Sequence, residues 1–240
     1  MSTKIGSTRK GKKLPSSRKR DTRKSRHNKR GLGIVIGVAA VVAVAIIALG
    51  VIFFLNNQNT GGVSTSTSQA GKYAFQVGAP GPGEQAPPIT LPSTTGGTFD
   101  LASLHGKTVL LYFQEGLTCQ PCWDQLKDIQ SNSNQFQALG IDTIVSITTD
   151  PLDALKQKVA DEGLSIPVLS DQNLVVSQSY TANGYGMMGT SRDGHTFIVV
   201  GPDGRIKWRA DYGGSPNYTM YVPVQSLIAD IRAGLNGGSA

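Results

Sequence analysis

Twenty-five consecutive residues, Gly31 to Leu55, carry no charged or strongly polar side chain. At about 1.5 Å per residue such a helix covers the roughly 30 Å hydrocarbon core of a bilayer. It has no polar face, which a helix packed on a water-soluble core would keep. The run predicts a transmembrane helix. A cleaved secretory signal is the competing reading, but a signal h-region usually runs about 7–15 residues and ends at a small-residue site. Here Phe53, Phe54 and Leu55 close the run, and Asn56, Asn57 and Gln58 follow. An uncleaved anchor fits better.

Beyond residue 77 the apolar positions change rhythm. Val109 to Phe113 is continuously apolar, as expected of a central strand covered on both faces. Ile141 to Asp150 reads as a second such strand, with shorter ones at Ile89–Leu91 and Ile166–Leu169. Thr196–Val200 and Arg205–Arg209 flank Gly201-Pro202-Asp203-Gly204 as a hairpin. Helical spacing follows Cys119 as far as Phe136. It recurs after Asp150, where Pro151 is placed at the first helical position and Leu152, Leu155 and Val159 share a face. Leu174–Tyr180 is a short helix, and Val222–Leu235 closes the chain as an amphipathic one. Strands alternating with helices and ending in a hairpin predict an α/β fold with a mixed sheet flanked by helices.

Charge divides the chain differently from hydropathy. Residues 1–30 hold thirteen Lys and Arg against one acid, Asp21, a net +12; with +7 for the whole, the remainder carries −5. The basic segment lacks the apolar residues that would offset the entropy of ordering, so it predicts a disordered tail. A nucleic-acid-binding tail is disfavoured by the apolar run that follows, and a nucleic-acid face on the mildly acidic remainder is not indicated. Cations crowd one end of the apolar run and are absent from the other as far as Lys72, which places the N-terminus in the cytoplasm and the rest outside the cell membrane. The partition is a basic tail at 1–30, a single-pass helix at 31–55, a Ser/Thr/Gly/Asn-rich linker at 56–76 and one folded domain at 77–236.

The chain has two cysteines, Cys119 and Cys122, three apart where a strand hands over to a helix. A thiol attacks as its thiolate, and a helix N-terminus favours that anion through unpaired N–H groups and the macrodipole. Cys119 falls at the N-cap and Pro121 inside the first turn, where its missing N–H costs nothing. These positions assign attack to Cys119 and resolution of the mixed disulfide to Cys122. A static bridge is the alternative, but so small a loop constrains the unfolded chain little. A tetrahedral zinc site needs four ligands, and there is no second cysteine pair. No metal or other cofactor is called for. Glu115, four residues before Cys119, is a candidate base for Cys122. Trp123, Trp208 and Tyr212 are candidate walls of the site, and Met187-Met188, in the Gly-rich segment Gly184–Gly194, a loop over it.

GEQAPPITLPSTTGGTFDLASLHGKTVLLYFQEGLTCQPC, followed later by HTFIVVGPDGRIKWR, resembles the redoxin group: peroxiredoxins of the alkyl hydroperoxide reductase type and membrane-anchored thioredoxin-like reductases. The resemblance covers roughly residues 78–235 and implies a thioredoxin-like fold with Cys119 at the active-site loop. The chain departs from the group in two ways. Peroxiredoxins carry Pro-xxx-Thr-xx-Cys; counting back from Cys119 gives Gly116 and Tyr112, and from Cys122 gives Cys119 and Glu115. The position of their peroxide-orienting Arg is Gly194, with Arg192 two residues earlier. Thioredoxin-like reductases place a cis-Pro before the corresponding strand, and here His195 stands there, an expected proton shuttle or thiolate partner with an ordinary pKa near 6.5.

These features predict a membrane-anchored, extracytoplasmic thiol-disulfide oxidoreductase. Its substrates would be protein or small-molecule disulfides, and it would need a separate redox partner. A thiol peroxidase acting on hydroperoxides is the alternative enzyme, and a thioredoxin-fold binding module with an idle cysteine pair the non-enzymatic one.

Overall fold

The computed structural model describes residues 70–237. The basic segment, the apolar run 31–55 and the linker as far as residue 69 lie outside the described residues. Among those described, no helix is long and apolar enough to cross a membrane. Gly71 already donates its N–H to Asp230, and Phe75 packs edge-on against Trp208 and Tyr212, so chain ahead of residue 77 is bound to the fold.

An antiparallel ribbon of β1 (Thr90–Pro92) and β2 (Thr98–Asp100) precedes the main sheet. Three parallel strands follow, β3 (Val109–Phe113), β4 (Thr143–Thr148) and β5 (Val168–Ser170). Between β3 and β4 lie α1 (Gln120–Ser131) and α2 (Ser133–Ala138), and between β4 and β5 lies α3 (Leu152–Asp161). A short α4 (Val175–Ser179) leads towards the antiparallel pair β6 (Thr196–Val200) and β7 (Ile206–Asp211), and α5 (Val224–Gly237) ends the described chain. The sheet order is β5-β4-β3-β6-β7, so β3 is central, with Leu111 registered against Val145 on one side and Ile198 on the other. This is the mixed α/β sheet expected.

Successive β3 side chains enter opposite cores, which is why no polar alternation shows in that strand. Leu110 and Tyr112 join Trp123, Leu126 and Ile129 of α1, Leu155 of α3 and Leu227, Ile228 and Ile231 of α5. Val109, Leu111 and Phe113 join Ile89, Leu91 of β1 and Val176 of α4 on the other face.

Of the boundaries that differ from expectation, two have identifiable causes. The second strand starts at Thr143 rather than Ile141, because Asp142 is drawn back to Thr108: its N–H donates to Thr108 O and its carboxylate caps Thr108 N at 2.8 Å. Pro151 is the N-cap of α3 rather than its first residue, with an extended ψ of 138°. The carboxyl ends of the parallel strands β3 and β4 bring the Glu115–Thr118 and Asp150 segments to one end of the sheet, the usual place for a site in such folds.

Candidate active site

After β3 the chain makes a single 3-10 turn, Gly116–Thr118, and enters α1 at Cys119. Gly116 opens it at φ +83°, a left-handed conformation that costs a side-chain-bearing residue about 1–2 kcal/mol. Cys119 is the N-cap: its Sγ accepts from Cys122 N at 3.3 Å and its carbonyl accepts from the same N–H at 3.1 Å. Pro121 lies in the first turn. The two cysteines are joined as a disulfide, with Cys119 6% exposed and Cys122 fully buried. An incoming sulfur therefore meets Cys119 first.

The loop before Cys119 is held from two distant parts of the chain. Asp150 Oδ2 accepts from Leu117 N at 2.8 Å and from Thr148 Oγ1 at 3.1 Å. Asp150 Oδ1 pairs with Arg192 Nη1 at 2.9 Å, and the same Nη1 donates to Glu115 O at 3.1 Å. Arg192 thus reaches the site loop, although as a brace for the backbone and for Asp150. The Glu115 carboxylate is nearly buried and accepts from the N–H groups of Met187 and Met188, the latter at 3.2 Å. Glu115, the candidate base for Cys122, here anchors the Gly-rich loop through that oxygen. Trp123 is fully buried and donates Nε1–H to Gly116 O at 3.0 Å, with Lys158 Nζ 5.5 Å from its ring centre.

Beneath Cys122 lies a polar pair inside an aromatic box. The Tyr112 hydroxyl is 3.2 Å from Cys122 O and 3.0 Å from His195 Nδ1. A phenol has one hydrogen, so both bonds form only if Tyr112 donates to the carbonyl and His195 donates its Nδ1–H to Tyr112. Tyr112 stacks on Phe197 at 4.4 Å between ring centres, and His195 meets both rings edge-on. Burial pushes the His195 pKa down to about 3, so the imidazole is neutral at physiological pH, with Nδ1 on the Tyr112 hydroxyl. This corrects the expected ordinary titration. His195 Nε2 is buried without a hydrogen-bond partner among the described residues.

Residues 82–209 match the family described as AhpC/TSA, just over half of the chain. The chain belongs to the AhpC/TSA family. A Mycobacterium tuberculosis protein that carries the name peroxiredoxin is 32% identical over 128 residues, 52% of this chain and 81% of that protein. The thiol-disulfide oxidoreductase ResA of Halalkalibacterium halodurans is 30% identical over 98 residues, covering 41% of this chain and 55% of ResA. Among solved structures, peroxidoxin BcpB from Mycobacterium tuberculosis matches with a TM-score of 0.52 at 20% identity, over 65% of this chain and 97% of that one. At that identity the likeness shows the fold, which is thioredoxin-like. The protein is a redoxin-type thiol oxidoreductase or peroxidase.

Several polar residues that frame this AhpC/TSA site gave no signal as site residues in the sequence. Asp150 marked only a helix start, and Tyr112 lay inside an apolar run. The one cue was that a Tyr deep in a buried strand needs a partner for its hydroxyl. Trp208 and Tyr212, taken as candidate walls, serve the core: Trp208 packs on Phe75, and Tyr212 donates to Asp230 of α5 at 2.6 Å. Among the described residues, no group of three or more His, Cys, Asp or Glu is placed to hold a metal ion.

Asp193, between Arg192 and the strand carrying Phe197, is fully buried, and the nearby Ser177 hydroxyl gives its hydrogen to Asp171 rather than to either Asp193 oxygen. Burial pushes its pKa well above the ordinary range; Asp171 and Asp150 push the same way, and the Ser177 hydroxyl opposes them. Asp193 and His195 act on stability with opposite signs. His195, depressed to about 3, binds a proton on unfolding below about pH 6.5, so its contribution is lost as pH falls from 6.5 to 3. Asp193, raised, releases a proton on unfolding above about pH 3.9, so stability is lost as pH rises beyond that value. Where the two ranges overlap, the two slopes oppose each other. Urea titrations across that window are expected to show His195→Gln falling in stability with rising pH and Asp193→Asn rising, each by up to about 1.4 kcal/mol per pH unit relative to the parent. Parallel pH profiles for the parent and both variants would contradict these assignments.

Proposed function

We propose that this chain is a membrane-anchored thiol-disulfide oxidoreductase whose redox domain works outside the cytoplasmic membrane, with Cys119 attacking and Cys122 resolving. The supporting observation is the asymmetry of the disulfide at the start of α1: Cys119 at the N-cap and 6% exposed, Cys122 one turn in and fully buried. In the reduced protein the first-turn N–H groups and the helix dipole favour a thiolate at Cys119. The 3 Å links of Asp150, Arg192 and Trp123 to the preceding loop hold that sulfur in place. The thiolate attacks a substrate disulfide, and Cys122 then displaces the second substrate thiol. The apolar run 31–55, with cations on one flank, supports the anchoring and the outward placement.

Peroxide reduction is the second reading, favoured by the peroxiredoxin name of the 32% identical relative. Stopped-flow mixing of the pre-reduced full chain with hydrogen peroxide separates the two. The first reading expects slow oxidation, no faster than that of an ordinary thiolate. Rapid formation of a sulfenic acid at Cys119 would establish the peroxidase instead. Placement has its own test: once the site has been reduced in intact cells, a thiol reagent that cannot cross membranes is expected to label Cys119. Labelling only after lysis would contradict the outward orientation.

A further inference from the structure

Pro121, Asp124 and Asp128 stand three and four residues apart on α1, so they share one face of the helix. The segment after β7 is pinned against that helix at two points. Gln125, fully buried, accepts from Val222 N at 2.7 Å, and the Tyr221 hydroxyl donates to the Asp128 carboxylate. The result is a groove of about 500 Å³, lined by Pro121, Asp124, Lys127 and Asp128 of α1 and by Tyr221. One of its walls belongs to the redox pair itself, since Pro121 stands between the two cysteines.

The groove keeps a negative charge that the fold does not pair. Lys127 Nζ is shared between Asp124 at 2.8 Å and Glu162 at 2.7 Å, and Glu162 also takes Lys158. With Asp128, three carboxylates face two ammonium groups. The surplus falls to Asp128, whose carboxylate meets a phenol and no cation among the described residues. Around Cys119, Thr118, Gln120 and Pro121 are exposed, the first two polar, a surface suited to a hydrated peptide chain. At about 1.5 Å of rise per residue, Asp124 lies about 8 Å and Asp128 about 14 Å along α1 from Cys119. An extended peptide advances about 3.3 Å per residue, so it spans those distances in about two to four residues. We propose that the groove takes a lysine or arginine side chain of a polypeptide substrate, about two to four residues from the cysteine under attack, a substrate class that rests on the thiol-disulfide reading above. The Cys119 thiolate attacks that cysteine's sulfur in the substrate disulfide, expelling the other sulfur as a thiolate and leaving a mixed disulfide. Cys122 attacks Cys119 Sγ, its proton leaving with the released substrate thiol. The polypeptide disulfide gains two electrons and becomes two thiols, the protein is oxidised to the observed disulfide, and a dithiol reductant restores it.

The test uses three disulfide-linked peptide dimers, identical except for Lys, Gln or Glu placed three residues before and after the cysteine. Each oxidises the pre-reduced full chain, and each rate is divided by that of the same peptide with dithiothreitol, which removes the effect of the neighbouring charge on the disulfide itself. At low salt the Lys peptide is expected to lead the Glu peptide by about 5-fold or more, with Gln between them. At about 1 M salt the lead should shrink to within about 2-fold. Asp128→Lys is expected to reverse the order. Equal rates for the three peptides, a preference unmoved by salt, or an order unchanged in Asp128→Lys overturns the groove as a substrate site and leaves the thiol-disulfide reading standing. No reaction above that of Cys119→Ser with any of the three overturns both.

Discussion

Cys119→Ser is expected to reduce disulfide turnover at least about 1,000-fold, the order of loss when a reacting nucleophile is removed. The size of the effect follows from geometry. Cys122 is fully buried, with the Tyr112 hydroxyl on its carbonyl, and the sequence holds no third cysteine to substitute. A hydroxyl at the N-cap would still accept from the first-turn N–H groups, so the variant should fold with little change in stability. Measuring turnover together with the thermal midpoint checks both halves of the expectation. A variant that keeps more than a tenth of parental turnover would remove Cys119 from the attacking role.

Gly116→Ala carries the largest expected structural effect. The backbone there has φ +83°, and a Cβ would overlap the Asp150 carboxylate and Thr148 Oγ1. Strain in the left-handed region costs about 1–2 kcal/mol. Displacing Asp150 also breaks its bond to Leu117 N and its pair with Arg192, and disrupting a largely buried charge pair costs a few kcal/mol more. A total loss of about 3 kcal/mol or more corresponds to about 10 °C in Tm for a domain of this size. Turnover should fall with it even below the new midpoint, since the same contacts fix the turn that presents Cys119. A Gly116→Ala protein with parental Tm and turnover would mean that the Asp150 brace is dispensable.

How far the sequence reveals this site depends on the range of each interaction. The Val109–Phe113 strand, the helix opening at Cys119 and the hairpin around Gly201–Gly204 are local patterns, and they appear where periodicity and turn residues placed them. The redox pair is likewise local, three residues on one helical turn. The braces are not: Arg192 meets Glu115 across 77 residues of chain, and Asp150 meets Leu117 across 33. No spacing rule connects residues so far apart. Glu115 was noticed for its nearness to Cys119 in sequence, yet its carboxylate faces the Met187-Met188 backbone, and only the fold reveals that. His195 illustrates the same limit for electrostatics, because an ordinary imidazole pKa is the right expectation until burial is known.

The central claim, attack by Cys119 and resolution by Cys122, is tested most directly in Cys122→Ser. With the resolving thiol gone, the pre-reduced full chain treated with a disulfide substrate should stop at a stable mixed disulfide, and peptide mapping should place the adduct on Cys119. Failure to accumulate any adduct while the disulfide continues to turn over would contradict the account.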